Sequence, residues 1–512
     1  MHQTTQNPAP AHRLDTEVME DVDVLISGAG LAGLGLAVHL ARSGKHSFLM
    51  IDRGHDVGGT WRDNTYPGIH CDVPSHLYSY SFRPNPHWSM VRAPGGEIYE
   101  YMRQTAQEEG VLPHCRFNTA LEDASWSEDQ QRWIIRTSQG VYRSRFFVPA
   151  MGLLVNGKTP NVPGIEDFQG EMFHSAAWRH DVPLQGKRIG VVGTGASAIQ
   201  IIPEMAKVAS ELVVFQRSAA YVLPRMNRPY TDAEKGLFAR DPDALQEHRQ
   251  AIYWQAENTY AEKRGVAPAM ERATAAATQF RESQIADPEL REKLTPDYAI
   301  GCKRVLFSDD YFATLNQDHV LLEDSAVVGV EGNAVSAASG AAYDLDVLIL
   351  ATGFDAYNPP YARLIHGLNG TSLEDKWADG LQAFQTMTVN GYPNMFILSA
   401  PAAATGHTSV FYTVEAQLDH VMEALDWCQD RDVSRLEVQK AAEEEFGREL
   451  HELGRGTVWL DGGCSSWYLD PRNGRLTLVW PDFSYAFRET MERFQPDAYM
   501  VRFQEELITS TS

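Results

Sequence analysis

The sequence predicts an α/β protein with two parallel-sheet domains and a helical insertion in the second. Three observations carry this. A β-branched apolar run, Val22 to Ser27, ends directly in Gly28-Ala29-Gly30-Leu31-Ala32-Gly33. A second run, Arg188 to Val192, ends in Gly193-Thr194-Gly195-Ala196-Ser197-Ala198. Each is followed by a helical stretch and another apolar strand, so both glycine turns stand in a full βαβ context and the domains read as Rossmann-like. Finally, 512 residues exceed a single core, and two or three domains are expected.

In the first unit the helix carries Leu34, Val38 and Ala41 on one face and leads to the strand Ser47 to Asp52. Gly28, Gly30 and Gly33 allow the tight turn and close backbone approach, Ala32 stands among them, and the helix N-terminus faces a pyrophosphate. Asp52 lies 19 residues after Gly33, near the offset at which a carboxylate binds a ribose 2′-hydroxyl. In the second unit a helix runs to Ala209 and the strand Leu212 to Arg217 follows. Arg217 lies 19 residues after Ala198. A carboxylate there would repel a 2′-phosphate, whereas an arginine binds one through charge-assisted hydrogen bonds. The first site therefore reads as flavin and the second as NADPH; the plain alternative for Arg217 is a solvated strand-end charge.

Between these units the loop Gly58-Gly59-Thr60-Trp61-Arg62-Asp63-Asn64-Thr65-Tyr66-Pro67-Gly68-Ile69-His70-Cys71-Asp72 is too rich in Gly, Pro and aromatics for a regular element. A helix from Glu97 to Glu109 and an alternating strand Arg132 to Thr137 precede the strand Phe146 to Ala150, which exits through Met151-Gly152. The segment Phe168-x-Gly170-x-x-x-His174-x-x-x-Trp178 then lies between the two glycine signatures. Residues 230–295, rich in Ala, Glu, Gln and Arg, read as inserted helices. Gly301-Cys302-Lys303-Arg304 precedes an apolar turn, and Asp346 to Leu350 reads as a returning strand. Thr408 or Ser409 suits the N-cap of a helix ending near Cys428. The resulting organisation is an extended or disordered N-terminus at 1–20, a discontinuous FAD-binding domain at 21–160 and 340–512, and an NADPH-binding domain at 161–339.

A net charge of -24 argues against nucleic acid or an anionic membrane as partner. The polar, proline-bearing N-terminus carries no apolar leader, and no apolar run approaches a bilayer span. Five cysteines, odd in number and scattered, make a disulfide framework an unexpected feature and fit a reducing cytoplasm. No C-x-x-C pair offers a redox dithiol, and no residue cluster suggests a metal site.

The spacing F-x-G-x-x-x-H-x-x-x-W at Phe168 to Trp178 closely resembles the fingerprint of type I Baeyer–Villiger monooxygenases, with Arg179 where that family has Pro or Asp. Gly58-Gly59-Thr60-Trp61, then Tyr66-Pro67-Gly68 and Asp72, resembles the second signature of the same enzymes, and Gly301 to Arg304 a third. The tail Cys464-Ser465-Ser466-Trp467-Tyr468 with Trp480-Pro481 resembles the 4-hydroxyacetophenone monooxygenase branch. This resemblance covers nearly the whole chain after the first twenty residues. It implies that Gly59, Thr60, Trp61, Arg62, Asp72, Tyr78 and Leu121 join the first glycine turn in holding FAD. It likewise places Gln200, Ser218 and Lys303 with Gly193 to Ala198 and Arg217 at NADPH.

By the same resemblance Arg304 is the catalytic arginine and Asp72 its partner, while Phe168, Gly170, His174 and Trp178 form the hinge that couples the two nucleotides. The implied reaction uses NADPH and O2 to turn a ketone into an ester or lactone through a C4a-peroxyflavin. Two rivals share the nucleotide sites: a monooxygenase of amines or sulfides, and a non-oxygenating NADPH:flavin reductase or cofactor-dependent binding protein. Which ketone is used, and the oligomeric state, are not legible in the residues.

Overall fold

A computed structural model describes residues 18–504 apart from Ala400 and Ser465. Of the N-terminal stretch read as extended or disordered, residues 1–17 lie outside the described residues, and 18–20 begin the first strand.

The strands of the two large sheets fall in chain order. They are β1 (Val18–Ser27), β2 (Phe48–Ile51), β3 (Cys115–Arg116), β4 (Leu121–Ser127), β5 (Arg132–Thr137) and β6 (Gly140–Pro149). After them come β7 (Glu171–His174), β8 (Arg188–Val192), β9 (Glu211–Phe215), β10 (Val320–Glu323), β11 (Val347–Leu350) and β12 (Ile365–His366). The first sheet has the order β12-β4-β5-β6-β1-β2-β3, parallel from β6 through β3 and antiparallel across β4, β5 and β6. The second has the order β10-β9-β8-β11-β7 and is parallel throughout.

Strand alternation explains the layering. Val24 and Ile26 of β1 face helix α1 (Leu31–Ser43), with Leu34 and Val38, while Leu25 points to the opposite layer beside Trp133 and Phe147. In the second sheet Ile189, Val191, Leu212 and Val214 cover helix α2 (Ala198–Ala206), and Val213, Phe215 and Leu348 cover the other face. Both sheets are thus buried on both sides, which is why their central strands read as continuous apolar runs. The 21-residue helix α3 (Val410–Asp430) returns to pack on α1, its N-terminus capped by Ser409, whose hydroxyl accepts from the Phe411 N–H at 3.2 Å.

β11 pairs with β8 and β7 in the second sheet, so the chain re-enters the first domain after Leu350 and not at the 340 boundary read from the sequence. The two crossings run side by side: Gly157 bridges Phe354, and the Lys158 N–H donates to the Gly353 carbonyl at 2.8 Å. Helices between Asp232 and Lys293 separate β9 from β10.

The cysteines, read as scattered and without a disulfide framework, include one bridge. Cys302 and Cys464, 162 residues apart, form a disulfide, leaving Cys71, Cys115 and Cys428 as thiols. Scattered spacing conceals a pairing that only the packing of the C-terminal segment onto the second domain creates.

Candidate active site

The first glycine turn leaves no space for side chains. Gly28 has φ 111°, and a Cβ there would sit 2.5 Å from the Ala150 carbonyl oxygen. A Cβ on Gly59 would lie 2.9 Å from the Gly30 Cα, so the two turns meet backbone to backbone, a cradle that suits a pyrophosphate. No side chain caps α1, which leaves its first amides available to an anion. Ala32 and Gly33 are buried where α1 meets the sheet.

Asp52 is buried. Its Oδ2 accepts from the Ala29 N–H at 2.7 Å; its Oδ1 accepts from the Gly54 N–H at 2.7 Å and Arg62 Nη1 at 2.9 Å. A carboxylate with about four acceptor sites keeps one for a ribose hydroxyl. Arg62 also bonds Asp63, so its charge orders the acid and the following turn that Thr60 begins. Trp61 donates from Nε1 to the Tyr78 hydroxyl at 3.3 Å, and Tyr78 meets Phe411 of α3 edge-on. Leu121 opens β4 just beyond Thr119, whose N–H donates to the Asp52 carbonyl at 2.8 Å.

The second turn repeats the first. Gly193 has φ 112° and would place a Cβ 2.5 Å from the Ala351 carbonyl oxygen, whereas Gly195 faces open space. Ser197 precedes α2 without capping it, and Ala198 is buried beneath; Ala196 is exposed. Thr194 donates weakly to the Ser218 carbonyl at 3.4 Å, and Lys303 Nζ donates to the Ser218 hydroxyl at 2.8 Å. Burial, and then the nearby Arg217 guanidinium, lowers the Lys303 pKa. Arg217 is exposed and forms no ion pair among the described residues. Two cations and a hydroxyl at one strand end fit a 2′-phosphate. Gln200 is used differently: its Oε1 accepts from the His70 N–H at 2.7 Å, tying the glycine-aromatic loop to α2.

Where the two halves meet, Arg304 Nε donates to Asp72 Oδ2 at 2.8 Å and Nη2 lies 2.7 Å from the same oxygen. The pair spans 232 residues. Asp72 raises the Arg304 pKa, so the guanidinium stays charged, and about a third of that side chain remains exposed. Arg92 holds Asp72 from behind by donating to its carbonyl at 3.1 Å. Arg92, Lys263 and Tyr468 were not singled out from the sequence as site residues. Lys263 is buried beside Gly301, with its pKa lowered by burial; burial raises the Tyr468 pKa, and the Arg304 guanidinium acts in the opposite sense.

The Phe168–Trp178 segment forms edge strand β7 of the second sheet, a position its length and composition did not disclose. Gly170 would set a Cβ 2.4 Å from the Asp346 carbonyl oxygen, so a larger residue would push β7 off β11. Phe168 packs beneath this edge, and Trp178 meets Phe173 edge-on at 5.0 Å. His174 stands at the double crossing: it is 5.7 Å from Phe354 by ring centroid, its Nδ1 accepts from the Ala176 N–H at 3.1 Å, and burial lowers its pKa. Arg179 pairs with Asp181 at 2.5 Å, which fixes the turn where the family pattern is broken.

A family described as flavin-binding monooxygenase-like matches residues 24–234. A Baeyer–Villiger monooxygenase of Streptomyces coelicolor is 37% identical over 496 residues, covering 95% of this chain and 93% of its own length. A Baeyer–Villiger monooxygenase of Pseudomonas aeruginosa is 36% identical over 477 residues, covering 93% and 90%. Among solved structures, an OTEMO complex with FAD and NADP superposes with TM-score 0.84 at 28% identity, covering 94% of this chain and 99% of that one. An oxidised steroid monooxygenase bound to NADP superposes with TM-score 0.81 at 31% identity and the same coverage. With paired glycine cradles, an acid at one strand end and an arginine at the other, and this degree of likeness along its length, the chain belongs to the type I Baeyer–Villiger monooxygenases.

Proposed function

We propose that Asp72 and Arg304 are the catalytic pair of an FAD- and NADPH-dependent monooxygenase that uses O2 to convert a ketone into an ester or lactone. The observation that supports this is the Asp72–Arg304 ion pair, a charged guanidinium held by a carboxylate 232 residues away. The turns at Gly28–Gly33 and Gly58–Trp61, with Asp52, would hold FAD; Gly193–Ala198, Arg217, Ser218 and Lys303 would hold NADPH. When bound, the flavin accepts hydride from NADPH and activates O2 for insertion beside a carbonyl.

The protein's share of the chemistry is electrostatic. Arg304 donates to the oxygen on which negative charge develops as the carbonyl becomes tetrahedral. Asp72 anchors the guanidinium through Nε and Nη2 and keeps it from swinging into solvent. Donors preorganised in this way contribute about 3–4 kcal/mol each to the transition state. His174 and Trp178 act at the crossing between the domains, aligning one half on the other.

An aryl ketone is the proposed substrate class, supported by the tail from Cys464 to Tyr468. Among the described residues no helix is long and apolar enough to cross a membrane, and the acidic charge disfavours nucleic acid. The test is oxygen uptake with FAD and NADPH against a ketone panel, with mass spectrometry of products. Ester or lactone should appear and should vanish in Arg304→Ala. Oxygen uptake indifferent to every ketone, with no ester, rejects the reading. Ester loss with retained sulfide oxidation in the variant would show that Arg304 serves the carbonyl reaction specifically.

A further inference from the structure

We infer that Tyr468 is a positioning residue for Arg304, and that the Cys302–Cys464 disulfide fixes it by tying together the two segments that carry them. The inference rests on the assignment of Arg304 to the reaction. Arg304 lies on a turn outside regular secondary structure, so its geometry depends on what that turn is attached to. Two attachments reach the same place. The Ala299 N–H donates to the Gly462 carbonyl at 3.0 Å, and Cys302, two residues before Arg304, is bonded to Cys464. There is no slack between them: a Cβ on Gly462 would fall 2.9 Å from the Cys302 Cβ and 3.0 Å from its sulfur.

The bridge and the Ala299–Gly462 hydrogen bond set Tyr468, four residues after Cys464, in the segment that meets the turn carrying Arg304. Its ring is 3% exposed and is held between Trp459, at 5.8 Å, and Trp467, at 4.7 Å. The Tyr468 N–H donates to the Ser466 hydroxyl at 3.2 Å. Arg304 thus pairs with Asp72, and the Tyr468 phenol lies near enough for the guanidinium charge to act on it. Both Arg304 donors meet one Asp72 oxygen, which leaves the guanidinium able to pivot about it; a buried ring packed between Trp459 and Trp467 restrains that pivot. Asp72 supplies charge complementarity, and Tyr468 supplies direction.

The brace is chemically addressable. Cys302 is buried, while Cys464 is partly exposed. A dithiol reagent can therefore attack the Cys464 sulfur and expel Cys302 as a thiolate, which takes up a proton. The reagent's second thiol then closes its own disulfide and releases the Cys464 thiol, so the reagent loses the two electrons that the bridge gains.

The experiment compares wild type, Tyr468→Phe and Cys302→Ser/Cys464→Ser as FAD-loaded enzymes, before and after dithiothreitol, reading ester and hydrogen peroxide per NADPH consumed and KM for NADPH. In Tyr468→Phe, ester per NADPH should fall about tenfold, with hydrogen peroxide rising to match and KM for NADPH moving less than about twofold. The double serine variant should lose ester yield in the same direction. Dithiothreitol should bring wild type to the level of the double variant and leave that variant unchanged. Full ester yield in Tyr468→Phe overturns the inference, as does a dithiothreitol effect equal in wild type and double variant. If Tyr468→Phe fails to fold, judged by bound FAD, the thiol comparison decides alone. Retained ester formation in Arg304→Ala would instead sink the catalytic assignment, separating that failure from this one.

Discussion

Asp52 directly follows β2 and Arg217 lies two residues beyond the end of β9, and we propose that their opposite charges divide the two nucleotides between them. Asp52 is buried and already engaged by Ala29, Gly54 and Arg62; Arg217 is exposed and can reach a ligand. Arg217→Gln should raise KM for NADPH by about 10- to 100-fold, the worth of one or two charge-assisted hydrogen bonds, and leave KM for NADH nearly unchanged. Steady-state kinetics with both nucleotides checks it. Equal effects on the two would mean that Arg217 does not contact the 2′-phosphate. Both residues were named from the sequence by their equal offset from the two glycine turns; in the structure Asp52 directly follows β2, whereas Arg217 lies two residues past β9. Arg92 was not named, since its segment carries no signature, and Tyr468 was read only as part of the tail signature, with no role at Arg304.

At the scale of elements, the two glycine turns and strand β7 are the parts least tolerant of change. Gly28→Ala introduces both a strained φ and a 2.5 Å contact with a main-chain oxygen that cannot retreat without moving β6. The variant should be purified with little or no FAD, measured by absorbance at the flavin band; normal FAD content would refute the close approach. His174 sits where β7 meets the paired crossings, packed against Gly157 and Phe354. His174→Ala should therefore retain both nucleotides but divert NADPH-derived electrons to hydrogen peroxide, seen as a lower ester-to-NADPH ratio at unchanged FAD content. Loss of FAD instead would make His174 a folding residue.

For the whole molecule, several histidines are buried in neutral form. Burial lowers His39 and His420 from the ordinary 6.5 to about 4, and His76 to about 3. The unfolded chain binds these protons first as pH falls below about 6.5, so each histidine costs stability from there down to its folded pKa. The slope is about 1.4 kcal/mol per pH unit for each group. His420 is enclosed between Phe396 and Phe494, with Nδ1 on the Met491 carbonyl at 2.9 Å. In His420→Asn the dependence of unfolding free energy on pH between about 6 and 4.5 should become shallower by about that amount. Denaturant titrations across this range measure it, and an unchanged slope would show that His420 is protonated in the folded protein.

Local rules sufficed for the two βαβ units, because a tight turn, a helix N-terminus and a strand-end charge are all set within about thirty residues. Taken bare, Phe168 to Trp178 reads as an ordinary inter-domain linker; its position between the glycine turns and its resemblance to a family fingerprint marked it. Its identity as an edge strand, the crossing after Leu350 and the Cys302–Cys464 bridge depend on partners 158 or more residues away, and residue order carries no measure of such distances. The Asp72–Arg304 pair falls between these cases. Each residue could be named from its motif, but only the packing of one sheet's loops against the other brings a carboxylate and a guanidinium 232 positions apart to within 2.8 Å. Sequence determined the chemistry each half can offer; tertiary structure decided how the two halves face one another, because that relation is set by packing across the domain junction.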